Sequence, residues 1–334
     1  MLNKIYEKIK NFIVSNYKFL IAILIIILLF YVELPYLIYK SGGTVDLSDR
    51  VKTELNYKSD GTLSMSYVSV VKGAPAYILL SYILPDWDLM SIKEEYGDTD
   101  YKDAIKSAKE SMNEGIDYAI IAAFKESKYS VTINDTKLVV NSVLTDSKTN
   151  LEIGDEIVSI NDIEIKSQED VINVLKNLKE NDKVTIKVIN DGKKYNRSAQ
   201  LINTVDGLKM GIIIGLKYDY ETEIPVEIKM RNKESGSSGG LMMALAIYNS
   251  LTKKDISHGK NIVGTGTIDI EGNVGKIDGI KYKLLGAQKK HADIFFVPIE
   301  NYKEALEVKK ERNLKIEIVA VKTLKDAIKY LDNY

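Results

Sequence analysis

With 334 residues, 46 basic side chains against 47 acidic ones and a net charge of −1, the chain has room for two or three domains and no charge excess suited to nucleic acid. It contains no cysteine, which excludes a disulfide framework, thiolate metal sites and a cysteine nucleophile. A composition 45% hydrophobic and 28% charged is that of a folded chain.

The first element is apolar from Phe19 to Val32 and continues to Tyr39, broken only by Glu33 and Pro35. That is close to the roughly 20 residues a spanning helix requires. Lys4, Lys8, Lys10 and Lys18 precede it, and Tyr31, Tyr36 and Tyr39 resemble an interfacial belt at its far end. The pattern predicts a cytoplasmic tail over 1–16, a single-pass anchor in the lipid bilayer over 17–40, and the remainder outside the cell. A cleaved signal peptide fits less well, because the run is long and no A-x-A-like site follows it.

Residues 43–126 follow a short linker at Lys40-Ser-Gly-Gly43. Leu63–Val71 and Ala76–Ile83 read as strands. Tyr101, Ala104, Ile105, Ala108, Met112, Ile116, Ile120 and Phe124 recur at three- and four-residue spacing, predicting an amphipathic helix weakened at Gly115. No chemistry is visible in this stretch. Over 127–205, strands are expected at 138–143, 156–161, 183–189 and 194–201. A helix is expected after the capping-box-like Ser167-Gln-Glu-Asp170, and a hairpin turn at Asp191-Gly192. From Asp206 onward, strands (210–218, 224–230, 262–270, 294–298, 316–321) alternate with helices (239–251, 280–290, 302–310, 324–331), an α/β arrangement. The fold class expected for the whole chain is a multidomain mixture of α/β and α+β units behind an N-terminal transmembrane helix.

The segment Glu234-Ser-Gly-Ser-Ser-Gly-Gly240 lies between a strand and an apolar helix. Glycines permit a sharp turn, and the first N–H groups of the helix are unpaired, so a serine here has oxyanion-stabilising donors beside it. The same pattern also describes a plain Gly/Ser turn with a serine N-cap. A nucleophilic serine needs a base. His258 lies in a polar loop and His291 ends a lysine-rich helix, and neither has the local features of a triad. A desolvated lysine is the alternative, since burial lowers its pKa. Lys276, Lys281 and Lys283 are candidates, and helical periodicity does not choose between the last two.

Taken together, the Gly-Ser-Ser-Gly-Gly helix start, Gly264-Thr-Gly-Thr-Ile268, Gly272-Asn-Val-Gly-Lys-Ile-Asp-Gly-Ile280 and Lys283-Leu-Leu-Gly-Ala287 resemble the Lon protease domain, in order and spacing, over roughly 206–325. The resemblance implies a serine endopeptidase with Ser238 as nucleophile and Lys283 as base. It gives Thr265 the support of the lysine, and Gly236, Ser237 and Gly239 the nucleophile loop. Leu151-Glu-Ile-Gly-Asp-Glu-Ile-Val-Ser-Ile-Asn-Asp162 resembles the strand-turn-strand of bacterial protease PDZ domains. Anchor, PDZ domain and Lon-type domain in this order are similar to the Lon-like PDZ proteases of Gram-positive bacteria, while 43–123 matches nothing in them. Domains are therefore expected at 127–205 (PDZ) and 206–334 (protease), with 43–126 flanking the PDZ domain. The family implies protein or peptide substrates, no cofactor or metal, and a homo-oligomeric ring. Two departures stand out. No GxxxxGK[ST] loop occurs, which points to ATP-independent action. Ser237 replaces the family's proline and Gly239 its alanine, which leaves Ser237 as a rival nucleophile and a PDZ scaffold without activity as the alternative function. A signal-peptidase-like enzyme fits poorly, because its serine normally lies close behind the anchor.

Overall fold

The computed structural model describes residues 2–55, 57–205 and 207–334; Met1 and the expected boundary residue Asp206 lie outside them. In chain order the elements are α1 (Leu2–Tyr31), β1 (Leu34–Asp46), β2 (Val51–Thr53), β3 (Thr62–Gly73), α2 (Pro75–Ser81), β4 (Trp87–Ser91), α3 (Ile92–Tyr96) and α4 (Tyr101–Glu126). There follow β5 (Val131–Val143), β6 (Lys148–Thr149), β7 (Glu156–Ile160), β8 (Ile163–Glu164), α5 (Gln168–Leu175), β9 (Lys183–Asn190), β10 (Lys193–Gln200), β11 (Ile202–Thr204) and β12 (Gly207–Lys209). The last stretch is β13 (Ile212–Thr222), β14 (Val226–Ile228), α6 (Gly240–Leu251), β15 (Asn261–Gly264), β16 (Thr267–Ile268), β17 (Val274–Gly275), α7 (Ile280–Lys289), β18 (Ile294–Pro298), α8 (Tyr302–Glu311), β19 (Glu317–Val321) and α9 (Leu324–Asp332).

Two compact units form, one from residues up to 41 with 68–97, the other from 42–67 with 98–334. In the first, α1 includes a 29-residue stretch, Asn3–Tyr31, whose most apolar 18-residue window has a mean hydropathy of 2.5 and is not buried, long and apolar enough to cross a membrane. At about 1.5 Å per residue such a helix exceeds the ~30 Å hydrocarbon core. The helix stops at Tyr31. Leu34–Lys40, expected inside the anchor, is strand β1, whose residues Tyr36–Lys40 pair antiparallel with β4. Ala76–Ile83, expected as a strand, lies in and just after α2: Pro75 at the first turn presets helical φ and needs no N–H partner.

In the second unit β3, β15, β18 and β19 pair in parallel, side by side. Alternation along the strands sends Ile262, Ile294 and Phe296 into one core, with α6, the end of α4 and α9, and sends Val263, Phe295 and Val297 into another, with α7 and α8. Residues 43–126, expected to flank the PDZ region, supply β3 to this sheet, β2 as partner of β14, and α4 as a partly buried helix beside α6 that also bonds β5 and β13 through Glu114. The expected strand 262–270 breaks after Gly264, and the break carries Thr265 and Gly266.

A second sheet, ordered β13-β5-β7-β9-β10-β6 with β8 beside β7, closes over Leu138, Ile157, Ile160, Val171, Leu175, Val184 and Ile186. The capping box is present, Ser167 accepting from the Asp170 N–H, and the turn between β9 and β10 has positive φ at both Asp191 and Gly192. Asp155 is fully buried. It accepts from Asn190 and the Glu152 N–H and pairs with Arg197 at 3.1 Å. Cutting one partner of a buried pair strands the other, so Asp155→Ala is expected to cost about 3–5 kcal/mol, read as accelerated amide exchange across β9 and β10.

Candidate functional site

Helix α6 begins where β15 ends. Gly236 enters with φ of +91°, a single 3₁₀ turn covers Ser237–Gly239, and the helix proper starts at Gly240. The carbonyl of Ser238 accepts twice, from the Gly266 N–H (2.8 Å) and from the Thr265 hydroxyl (3.0 Å). The Leu241 N–H returns a bond to the Gly266 carbonyl (3.1 Å). Thr265 is wholly buried and its own N–H donates to the Phe296 carbonyl. The serine is thereby sewn to the carboxyl end of the parallel strands, where open α/β sheets bind their ligands.

Lys283 is carried by α7, which packs on the other face of the sheet. It lies in the second turn of α7, which starts at the left-handed Gly279, and is 4% exposed beside Ile280, Leu284 and Ala287. Burial lowers its pKa from 10.5 to about 8, opposed by the Asp278 carboxylate. Of the rival lysines, Lys276 is exposed and Lys281 sets its ammonium 5.4 Å from the Tyr282 ring. The histidines sit at the opposite edge: His258 Nε2 meets the Leu331 carbonyl beyond the far end of α6, and His291 follows α7. Among the described residues no cluster of three His, Asp or Glu is arranged for a metal.

Several expectations change in detail. The Gly236 N–H is taken by the Ala108 carbonyl of α4 (2.8 Å), so it is not an oxyanion donor, and its role is conformational. Ser237, Ser238 and Gly239 are left to supply such N–H groups. The Thr265 hydroxyl proton is spent on Ser238, so toward a lysine this oxygen can only accept. At Gly239 a Cβ would stand 2.6 Å from the Met65 sulfur. Met65 fills the space that the family's alanine methyl would take, so the glycine is matched to its neighbour and the turn is packed. Gly115, which weakens α4 on paper, is where the helix meets the loop, a Cβ there lying 3.4 Å from Ser237 Cα.

Sequence reasoning missed two supports. Arg50 grips Glu234 with two bonds of 3.1 Å and also donates to the Lys229 carbonyl, while Glu234 accepts from the Arg231 N–H, fixing the approach to the serine. On α4, Glu114 accepts from Asn141 and from the Leu216 N–H, and so joins the helix that braces Ser237 to strands β5 and β13. The pairing of Arg50 with Glu234 joins residues 184 apart, and no local pattern announces it.

A second concave surface lies between α5 and the start of β13. It is a groove of about 570 Å³ lined by Val171, Ile172, Leu175, Leu208, Met210, Ile212 and Ile214. Ile172 is 62% exposed, and β13 is an edge strand of its sheet. Apolar side chains beside an open strand edge suit an extended peptide.

Two regions of the chain match known domain families. Residues 222–332 match the Lon protease (S16) C-terminal proteolytic domain and residues 119–201 match the PDZ domain. The Lon protease of Mesomycoplasma hyopneumoniae is 33% identical over 33% of this chain and 12% of its own length, and that of Campylobacter concisus 29% over 43% and 18%. The chain thus spans less than a fifth of these curated relatives. The crystal structure of the PDZ domain of the SdrC-like protein of Listeria monocytogenes is 22% identical over 25% of this chain and 92% of its own, with a TM-score of 0.21.

The buried Lys283 has a stability signature. Its native pKa lies below its unfolded value, so the unfolded chain binds more protons between pH 8 and 10.5, and stability rises with pH across that window. Below it the full cost, about 3 kcal/mol, is present. Lys283→Met is expected to raise the unfolding midpoint at pH 7 and to flatten the rise between pH 8 and 10.5. A separate denaturant titration of Arg50→Ala should show a loss of about 2–4 kcal/mol, because Glu234 stays behind half-buried.

Proposed function

Starting from a chain that carries a Lon-type proteolytic domain and a PDZ domain, we propose that this protein is a serine endopeptidase in which neutral Lys283 takes the proton of Ser238. The observation that carries the reading is a buried lysine of lowered pKa, Lys283, in the same domain as a half-buried Ser238 pinned to the end of β15. A lysine with a pKa of about 8 is partly neutral near pH 7 and returns its proton readily. The Ser238 hydroxyl oxygen adds to the scissile carbonyl as its proton passes to Lys283 Nζ. The resulting oxyanion is held by N–H groups at the start of α6. Collapse expels the amine, which takes the proton from Lys283, and leaves an acyl-enzyme. Water attacks this ester, giving its proton to Lys283; the second tetrahedral intermediate collapses as the Ser238 oxygen leaves and takes that proton back, and the new carboxylic acid ionises to solvent. The Thr265 oxygen, as acceptor, orients the lysine amine toward the serine.

Substrates on this reading are unfolded or membrane-proximal polypeptides. This chain supplies no phosphate-loop motif with which to unfold a stable protein, and the reading is ATP-independent. The groove between α5 and β13 takes an extended segment by strand addition. Lys4, Lys8, Lys10 and Lys18, in the first part of α1, support an N-terminus in the cytoplasm and a catalytic unit outside the cell. Assembly into a ring is the expectation carried over from the family.

With the full chain in detergent and an unfolded protein as substrate, Ser238→Ala should abolish cleavage while Ser237→Ala retains most of it. Retained activity in Ser238→Ala would sink the assignment. The kcat/KM of the parent chain should rise with pH through an apparent pKa near 8, and Lys281→Ala should keep that profile. For the groove, Ile172→Glu should raise KM for long substrates by about tenfold, a loss of ~1.4 kcal/mol, and leave kcat on short peptides unchanged.

A further inference from the structure

From Gly73 to Pro85 the chain reads Gly-Ala-Pro-Ala-Tyr-Ile-Leu-Leu-Ser-Tyr-Ile-Leu-Pro, without a charge. A helix of that composition in a water-soluble domain turns its apolar side inward. Here α2 has no buried residue, and Leu79, Tyr82 and Ile83 are 59%, 77% and 75% exposed. They stand beside the end of α1. Tyr77 of α2 meets Phe30 of α1 edge to face at 6.0 Å, Lys72 pairs with Glu33 just after α1, and Gly73 backs directly onto Tyr36.

The aromatic residues of this unit concentrate in the same place. Tyr31, Tyr36, Tyr77 and Tyr82 lie on or next to the junction, and Trp87, the sole tryptophan, follows with the Lys40 ammonium 4.4 Å from its ring. Tyrosine and tryptophan gather where one end of a ring is apolar and the other wet, at headgroup depth. Lys72 and Asp86 bracket the uncharged run and set how deep it can go.

We propose that residues 75–84 form a second, interfacial contact with the phospholipid bilayer, with Leu79, Tyr82, Ile83 and Leu84 immersed at the boundary between headgroups and acyl chains. The inference rests on α1 spanning the membrane, and the occupant follows from continuity: α2 is packed on the last turn of the helix that would emerge there. Two attachments restrict the rotation about its own axis that a single spanning helix leaves free.

The absence of cysteine makes single-site labelling clean. The full chain is reconstituted into phosphatidylcholine–phosphatidylglycerol vesicles carrying an environment-sensitive fluorophore at Ile83→Cys, at Ile26→Cys in α1, or at the exposed Lys58→Cys. The label at 83 is expected to be blue-shifted and quenched by a shallow nitroxide lipid about threefold more than the label at 58. Equal quenching of 83 and 58 by aqueous iodide overturns the proposal. So does a label at 83 shielded from both iodide and nitroxide lipid, which would mean a protein partner such as a second copy of the chain. The label at 26 separates the two readings. If it is lipid-quenched while 83 is not, the interfacial contact alone fails; if it is not, the span itself fails. As a second measurement, Leu79→Glu with Ile83→Glu should shift Trp87 emission to the red and relieve its quenching by brominated lipid, and unchanged Trp87 emission counts against the proposal.

Discussion

The bond pair at the carbonyl of Ser238 is the constraint on which the site depends. A helix start offers donors, and a strand end offers both a donor and an acceptor, so the two complete each other when brought edge to edge. Gly266 and Thr265 supply the donors and Gly266 also receives the Leu241 N–H, so one break in β15 holds the whole turn. Burial of Thr265 keeps water from competing for these bonds. A serine placed in this way has little freedom to move, and any base reaching the same edge meets a fixed target.

Around that seam the molecule adds supports from distant parts of the chain. Helix α4 accepts the Gly236 N–H at Ala108 and offers Gly115 as a flat spot for Ser237. Arg50 holds Glu234 on the approach, and Met65 takes the room left by Gly239. The same α4 carries Glu114, which bonds strand β13 close to the peptide groove. One helix therefore touches both the serine loop and the strand to which an extended chain would add. These contacts are made by residues of 43–126, the stretch that shows no chemistry as sequence.

Stability and activity pull against each other at Lys283. An ammonium among aliphatic side chains is unfavourable, and the neighbouring Asp278 offsets only part of this. On the proposed reading, the same desolvation that destabilises the fold leaves part of the amine unprotonated near neutral pH, as a general base must be. A methionine there would avoid the desolvation cost but could take no proton.

Much of the architecture was legible in the residues. The periodicity of α4, the capping box at Ser167, the Asp191-Gly192 hairpin and the boundaries of β18 and α9 are local matters, decided by neighbours a few positions away. The apolar run in α1 was visible for the same reason, but its end was not. Leu34–Tyr39 is apolar and continues the run past Glu33, but Pro35 interrupts a helix there and pairing of Tyr36–Lys40 with β4 makes it a strand. Ala76–Ile83 erred the other way, since a short apolar run has no period of its own and Pro75 decided it. In the site, the loop and the candidate lysines could be named from sequence, and resemblance chose among them. Burial of Lys283 against exposure of Lys276, the commitment of the Gly236 N–H, and the grip of Arg50 on Glu234 belong to tertiary structure alone. Desolvation and long-range hydrogen bonds depend on which residues fold up against one another, and no window along the chain contains both partners.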